Sequence, residues 1–412
     1  MHDAPLRDTR ATRNLGEAMR AFSCVEDYRR AARRRLTKLA FDYLEGGAED
    51  GDALRRNRDA FGQWGFLPRV MTDTSQCSAA TTFWGRAASA PMAVGPTGLN
   101  GLFWPRADEL LARAAADAGL PFVLSTASTS LLEDVRAAAP DAQLWLQLYV
   151  QQDRRIAESM MRRAREAGFR TLLLTVDTPV HGKRDHDVRN GFKLPLRVTP
   201  RLVADCLRHP HWSWQMLAHG APQLRNIAKS VGERADLARH AAMLSRQMDL
   251  SLGWDDLAWV RRHWPGEVLV KGIQTVDDAR QAQAHGADGI VVSNHGGRQL
   301  GSTLAPLEAL EPIVAAVSER GPGMAVFVDG GVRRGADVVK AVALGAKGVL
   351  LGRAPLYGVA ACGAAGAAGV LALLLDELRT TMQLLGCAGV DDLTPARLAR
   401  LPALQGGRAN PL

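Results

Sequence analysis

From Pro91 onward, short Val/Ile/Leu-rich runs alternate with longer amphipathic segments, and the pattern repeats eight times. The runs are "PMAVGPTG" from Pro91, "PFVLST" from Pro121, "AQLWLQLYV" from Ala142, "RTLLLTVDTP" from Arg170, "EVLVKGI" from Glu267, "DGIVVSN" from Asp288, "MAVFVDGG" from Met324 and "KGVLLGR" from Lys347. Continuous apolar runs read as strands buried on both faces, and the amphipathic segments between them as covering helices. Eight βα units in succession imply an α/β chain folded as a single closed (β/α)₈ TIM barrel. Active sites in such barrels are built from the loops at the C-terminal ends of the strands. The 412 residues, 47% of them hydrophobic, can bury a core of that size and exclude disorder as the main state.

Outside the alternation, residues 1–22 form a charged leader with no apolar core of signal-peptide length, residues 23–400 the folded unit and residues 401–412 a tail. "YRRAARRRLTKLAFDYLEGGAED" reads as a helix that ends at Gly46 and Gly47 and caps the barrel. After the fourth strand, Val180 to Asp249 far exceed an ordinary connection, and residues 185–249 are assigned as an insertion. Ala354 to Leu375 contain no charge, but the run is mostly Ala and Gly and follows a strand, so a helix packed on the sheet is expected rather than a membrane span. Five scattered cysteines show no CxxC pair and suggest neither a disulfide framework nor a zinc site. The net charge of +8 admits nucleic acid, an anionic membrane surface or an anionic small molecule as partner.

Chemistry gathers at the strand ends: Ser125, Gln147, Tyr149, Thr175, Asp177, Lys271, Ser293, His295, Asp329, Gly352 and Arg353. One such residue is an ordinary turn former, whereas so many together read as the lining of one pocket. "VDGGVRRG" and "LGRA" place glycines, Arg333 and Arg353 after the seventh and eighth strands, where barrels bind phosphate. With no GxGxxG after an early strand, a phosphorylated cofactor such as flavin mononucleotide (FMN) or pyridoxal phosphate fits better than a dinucleotide. In "SNHGGRQL", an Arg298 fork can clamp a carboxylate while His295 takes a proton from a neighbouring hydroxyl. That pairing favours the flavin and a 2-hydroxy acid, with Arg184, Tyr149 and Asp177 available to assist.

Taken together, "SNHGGRQL", "DGGVRRG", "LGR", "FDYLEGGAED" and "TVDTPVHGKRDHDVRNGF" resemble the FMN-dependent 2-hydroxy-acid dehydrogenases and oxidases, from about Tyr28 to Gly386. Within that family "GPTGLNGLFWP", "LWLQLYV", "HPHWS" and "LSRQMD" look most like the bacterial (S)-mandelate dehydrogenases. The resemblance implies His295 as catalytic base, Asp177 as its carboxylate partner, Arg184 and Arg298 on the substrate carboxylate, and Tyr43 and Tyr149 on the substrate. It places Lys271 beside the flavin. Pro96, Thr97, Gly98, Ser125, Gln147, Thr175 and Ser293 would hold the isoalloxazine and ribityl parts, and Asp329, Gly330, Gly331, Arg333, Gly352 and Arg353 the ribityl and phosphate groups. Many relatives carry Ala where Gly98 stands, which bears either on flavin reactivity or on backbone geometry. Lys183, beside Arg184, is a possible competitor for the substrate carboxylate.

In the insertion, Leu202, Val203, Cys206 and Leu207 can form one apolar face, and Trp212, Trp214, Met216 and Leu217 another, with Lys193, Arg197, Arg201 and Arg208 around them. Such a segment either docks in a membrane interface or serves as a lid or subunit contact. The resemblance favours docking: a homotetramer, peripheral on the cytoplasmic side of the inner membrane, passing electrons from an (S)-2-hydroxy acid, mandelate above all, to a quinone or the respiratory chain. The alternatives are an L-lactate dehydrogenase, a soluble oxidase using oxygen, an FMN barrel acting on a phosphorylated isoprenoid or nucleotide, and a basic lipid- or nucleic-acid-binding protein without turnover. Nucleic acid is not expected as a partner.

Overall fold

The computed structural model describes residues 22–192, 199–231, 248–319 and 323–402. The eight apolar runs become strands β1 (Met92–Val94), β2 (Phe122–Ser125), β3 (Leu144–Leu148), β4 (Thr171–Thr175), β5 (Glu267–Ile273), β6 (Gly289–Val292), β7 (Ala325–Asp329) and β8 (Gly348–Leu351). Each pairs in parallel with its sequence neighbours, and β8 pairs with β1 to close the barrel. Inside, each strand contributes one buried residue to a central layer: Ala93, Val123, Trp145, Leu173, Leu269, Val291, Phe327 and Leu350. Residues of opposite parity face the surrounding helices, which is why the strands read as unbroken apolar runs.

The N-terminal mouth is plugged by a hairpin, Thr81–Phe83 paired with Arg86–Ala88, that the strand pattern did not show. Its turn residues Trp84 and Gly85 both have positive φ, as a tight two-residue hairpin turn requires. Phe83 packs against Trp145 and Phe327 with ring centroids 5.8 and 5.3 Å apart, sealing the end of the barrel opposite the site.

The N-terminal cap is two helices, Val25–Arg35 and Lys38–Glu45, where the sequence reads as one. Leu36 is extended, and the Thr37 hydroxyl accepts from the Ala40 N–H to start the second helix. An N-cap threonine supplies its own start signal and outweighs the continuing periodicity. The uncharged run lies in helix Arg353–Leu384, which packs on Val25–Arg35 and Ala107–Asp117 with its apolar part mostly inside the protein. It breaks at Cys362 and Gly363, where an added Cβ on Gly363 would meet Trp104 at 2.7 Å.

In the insertion, helix Pro200–Arg208 packs on Pro210–His219, and helix Arg225–Val231 packs on Arg154–Glu166. Trp212, expected on an outward apolar cluster, faces inward instead: it is 6% exposed and its Nε1 donates to the Leu102 carbonyl at 2.8 Å. Asn226 fixes the last helix by accepting from Leu132 N at 3.0 Å and donating to Ser130 O at 2.9 Å. Lys193 and Arg197, the leader before Phe22 and most of the tail lie outside the described residues.

Candidate active site

A cleft of about 520 Å³ opens at the C-terminal ends of the strands, within the range of small-molecule sites. Its lining includes Tyr43, Pro96, Thr97, Gly98, Ser125, Gln147, Tyr149, Thr175, Arg184, Lys271, His295, Arg298, Asp329, Gly330, Gly331, Arg333, Gly352 and Arg353. Of the residues singled out in the sequence, Asp177 and Ser293 stand behind this wall, each holding a lining residue.

His295 adopts φ 58°, followed by Gly296 at 64° and Gly297 at 74°. Left-handed backbone at a non-glycine residue is uncommon and persists only where surrounding contacts enforce it. Here the turn cannot relax. A Cβ on Gly296 would meet Arg353 Nη1 at 2.9 Å, and one on Gly297 would meet Leu54 N at 2.7 Å. Asn294 accepts from Gly297 N at 3.0 Å and exchanges hydrogen bonds of 2.7 and 2.8 Å with Asn57. The "SNHGG" string therefore encodes a rigid turn that aims the imidazole into the cleft.

Nδ1 of that imidazole lies 2.9 Å from Asp177 Oδ1, and Nε2 lies 3.3 Å from the Tyr149 hydroxyl. Burial alone would raise the Asp177 carboxyl, but its interaction with His295 and the charge of Lys271 bring it below the ordinary range. The carboxylate thus fixes Nδ1 as the protonated nitrogen and leaves Nε2 to accept a proton from the cleft. Tyr149 is raised above its ordinary value by burial, then by Asp177, and stays a neutral phenol.

Arg298 Nη1 donates to the carbonyls of Tyr43 at 2.9 Å and Gly46 at 2.8 Å. Arg353 reaches the same helix end, donating to Leu44 O at 3.1 Å and Gly46 O at 2.8 Å. The "FDYLEGG" motif thus offers the negative end of a helix to two half-buried arginines. Burial, then the nearby Arg184, pushes Arg298 below its ordinary value, so an anion between the two guanidiniums would relieve both. Lys183 turns away: its side chain is exposed and its Nζ lies 3.5 Å from Asp185, so it does not compete for that anion.

Gln299 went unremarked in the sequence although it belongs to the same motif. Its Nε2 donates to the carbonyls of Asp177 at 3.1 Å and Val180 at 2.9 Å, while its Oε1 accepts from Gly182 N at 3.3 Å. It therefore braces the loop after β4, which carries both Asp177 and Arg184. Asp187, Phe192, Leu224, Thr178 and His181 also line the cleft without having been singled out.

On the opposite side, Lys271 is buried, with Nζ 2.9 Å from Ser293 Oγ and 3.1 Å from Asp329 Oδ2. Burial alone would lower it, but Asp329 and Asp177 raise it above its ordinary value and keep it charged. Ser125, Gln147 and Thr175 form a buried chain of bonds of 2.9 and 3.0 Å beside it. Asp329 Oδ1 is buried without a partner, an acceptor suited to a ligand hydroxyl. At Gly331 a Cβ would meet the Asn57 carbonyl at 2.0 Å, whereas in front of Gly352 the space is open. A flavin nucleotide fits this groove, with the charged Lys271 at the ring end, a free acceptor at the ribityl and glycines with two arginines at the phosphate. At Gly98 a Cβ would meet that of Ala127 at 2.9 Å, so close packing accounts for the glycine.

The family model described as FMN-dependent dehydrogenase matches residues 32–400. The chain belongs to the FMN-dependent dehydrogenase family. It is 47% identical to (S)-mandelate dehydrogenase of Pseudomonas putida over 371 residues, 90% of this chain and 92% of that one. It is 40% identical to an L-lactate dehydrogenase of Pectobacterium atrosepticum, covering 92% of this chain and 97% of that one. A crystal structure described as the monotopic membrane protein (S)-mandelate dehydrogenase superposes with TM-score 0.88 at 46% identity, covering 92% of this chain and 100% of its own. This FMN-dependent dehydrogenase accordingly oxidises a small 2-hydroxy acid with FMN as cofactor.

Because Gln299 holds the loop that carries Arg184, Gln299→Leu should lower kcat/KM by roughly 10–100-fold, the scale of an ångström-sized misplacement. The loss should fall mainly in KM, with FMN retained. Steady-state kinetics and the flavin absorbance check this, and an unchanged KM would remove Gln299 from the account.

Proposed function

We propose that the chain oxidises an aromatic (S)-2-hydroxy acid, (S)-mandelate before lactate, to the 2-oxo acid. The observation that carries this reading is the composition of the cleft beyond the arginines: Leu99, Phe103, Phe192 and Leu224 form an apolar wall, with Tyr43 stacked 4.5 Å from Phe192. An aryl side chain buries there, whereas a methyl group leaves the wall unfilled.

In this reading Arg184 and Arg298 bind the substrate carboxylate together with the Tyr43 hydroxyl, and Tyr149 orients the substrate hydroxyl toward His295. His295 takes the proton from that hydroxyl at Nε2, and Asp177 stabilises the imidazolium that results. Bound FMN supplies the two-electron acceptor. Pro96, Thr97, Gly98, Ser125, Gln147, Thr175 and Ser293 would hold or back its ring, and Asp329 to Arg333, Gly352 and Arg353 its ribityl and phosphate groups. Lys271 sits where negative charge on a reduced ring would be stabilised.

The acceptor of the electrons is proposed to be a membrane quinone, with the protein peripheral on the cytoplasmic side of the inner membrane and assembled as a homotetramer. Support comes from the insertion, where Leu207, Trp214 and Leu217 are 77%, 71% and 79% exposed beside Arg201 and Arg208. Exposed apolar side chains among cations suit an anionic interface.

Steady-state assays on mandelate, phenyllactate, lactate and glycolate with an artificial acceptor test the substrate. Mandelate should show the highest kcat/KM, and a preference for lactate or glycolate would overturn the assignment.

A further inference from the structure

One buried titratable group takes no part in the chemistry above. Asp108, 1% exposed, lies in the first turn of helix Ala107–Asp117, and the loops that follow β1 and β2 both converge on its carboxyl. Its Oδ2 accepts from Thr129 N at 3.2 Å, from the Thr129 hydroxyl at 3.2 Å and from the Ser128 hydroxyl at 2.8 Å. Its Oδ1 accepts from Asn100 Nδ2 at 2.7 Å. Burial pushes this carboxyl above its ordinary value against the pull of those donors, so the group stands where its charge is disfavoured.

Asn100 links Asp108 to the cleft. It is itself 1% exposed, and the Nδ2 that donates to Asp108 also donates to Thr97 Oγ1 at 2.9 Å. An acceptor at Asp108 Oδ1 fixes which end of the amide faces Thr97, because the turned-over amide would oppose oxygen to oxygen. Asn100 Oδ1 is buried without a partner, so that atom does not set the orientation. Thr97 Oγ1 therefore accepts from Asn100 and keeps its own proton for another partner. Among the described residues that hydroxyl donates to nothing, and Thr97 lines the cleft.

We propose that Asp108 is a positioning residue for the flavin: through Asn100 it holds the Thr97 hydroxyl as a donor to the isoalloxazine ring. The inference rests on the placement of that ring beside Thr97. Ring nitrogens and carbonyls gain negative charge on reduction, so a fixed donor stabilises the reduced flavin more than the oxidised one. The loop leaves the donor little freedom. Leu99 is held at φ 57° with its N–H on Ala127 O at 3.0 Å, and Gly101 N donates to Thr129 Oγ1 at 2.9 Å.

The test is the midpoint potential of the FMN-loaded enzyme, measured by dye-mediated reduction with the visible flavin spectrum recorded alongside. Thr97→Val should shift the reduction equilibrium roughly tenfold toward the oxidised flavin, the scale of one net hydrogen bond, or about 30 mV for a two-electron couple. Thr97→Ser, which keeps the hydroxyl, should hold the wild-type potential. Asp108→Asn should shift it in the same direction as Thr97→Val, because the new amide has one oxygen where Asn100 Nδ2 and Thr129 N both need one. The Asn100 amide then turns over and takes the Thr97 proton. Asp108→Asn combined with Thr97→Val should fall no lower than Thr97→Val alone, since residues acting through one network are not additive. If Asp108→Asn does not fold, Asn100→Ala cuts the same relay and carries the same expectations. A wild-type potential and spectrum in Thr97→Val would overturn the proposal by detaching Thr97 from the ring. A wild-type potential in Asp108→Asn, or additive losses in the double variant, would overturn it by detaching Asp108 from Thr97. No 2-hydroxy acid enters the titration, so the substrate reading stands or falls separately.

Discussion

His295→Asn should retain FMN and fold normally while losing about 10²–10⁴-fold in kcat/KM, the usual contribution of a positioned general base. Asparagine is the appropriate replacement because His295 has φ 58°, and Asn tolerates the left-handed region better than most residues. Its amide cannot take the proton that Nε2 accepts. Cofactor binding should survive because Asp329 ends β7, Arg333 follows it and Arg353 follows β8, whereas the imidazole's own partners are Asp177 and Tyr149. Arg298→Met should instead act mostly through KM, by roughly 10–10²-fold for a lost charged hydrogen bond. It should also loosen Tyr43, whose carbonyl Arg298 holds at 2.9 Å. Anaerobic bleaching of the flavin by substrate, followed in a stopped-flow instrument, separates the two: slow at saturation for the histidine variant, shifted in concentration dependence for the arginine variant. A histidine variant that bleaches at the wild-type rate would remove His295 from the mechanism.

What could be read from the sequence follows from how locally each feature is determined. The eight strands were legible because a parallel strand covered on both faces is apolar throughout, and eight such short runs recur between amphipathic segments. The helix break at Thr37 and the hairpin at Trp84 and Gly85 were missed because one capping hydroxyl and one two-residue turn leave no periodic trace. Motif residues such as His295, Arg298 and Lys271 were legible as chemistry at strand ends. Their supports were not, because support is a relation between distant segments. Asn57 meets Asn294 across 237 positions, and Arg353 meets Leu44 across 309. No spacing in a single sequence announces such pairs. Trp212 shows the same limit from the other side: its composition suited a membrane face, but its indole N–H had a carbonyl to meet inside the protein.

That correction also changes the expected consequence of altering the insertion. Excising Leu194 to Leu224 would remove Trp212 and Leu224, of which the first is buried and the second lines the cleft. A loss of activity would then say nothing about membranes. Leu207, Trp214 and Leu217 are exposed and absent from the cleft lining, so Leu207→Glu, Trp214→Glu and Leu217→Glu combined isolate the docking surface. Fully burying a large apolar side chain contributes about 1.5–3 kcal/mol. Even half of that, lost three times, should lower partition onto anionic vesicles by roughly 10²-fold, and the added carboxylates lower it further. For the unaltered protein the attachment should weaken with salt, because each Lys or Arg near an anionic surface contributes ~1 kcal/mol and ions screen it over about 8 Å at physiological strength. Sedimentation with vesicles at low and high salt gives the first readout, and substrate-dependent flavin bleaching of the same triple variant the second. Release from vesicles with bleaching intact supports docking through this surface. Continued sedimentation with the vesicles would rule it out and leave these three side chains to a lid or subunit contact.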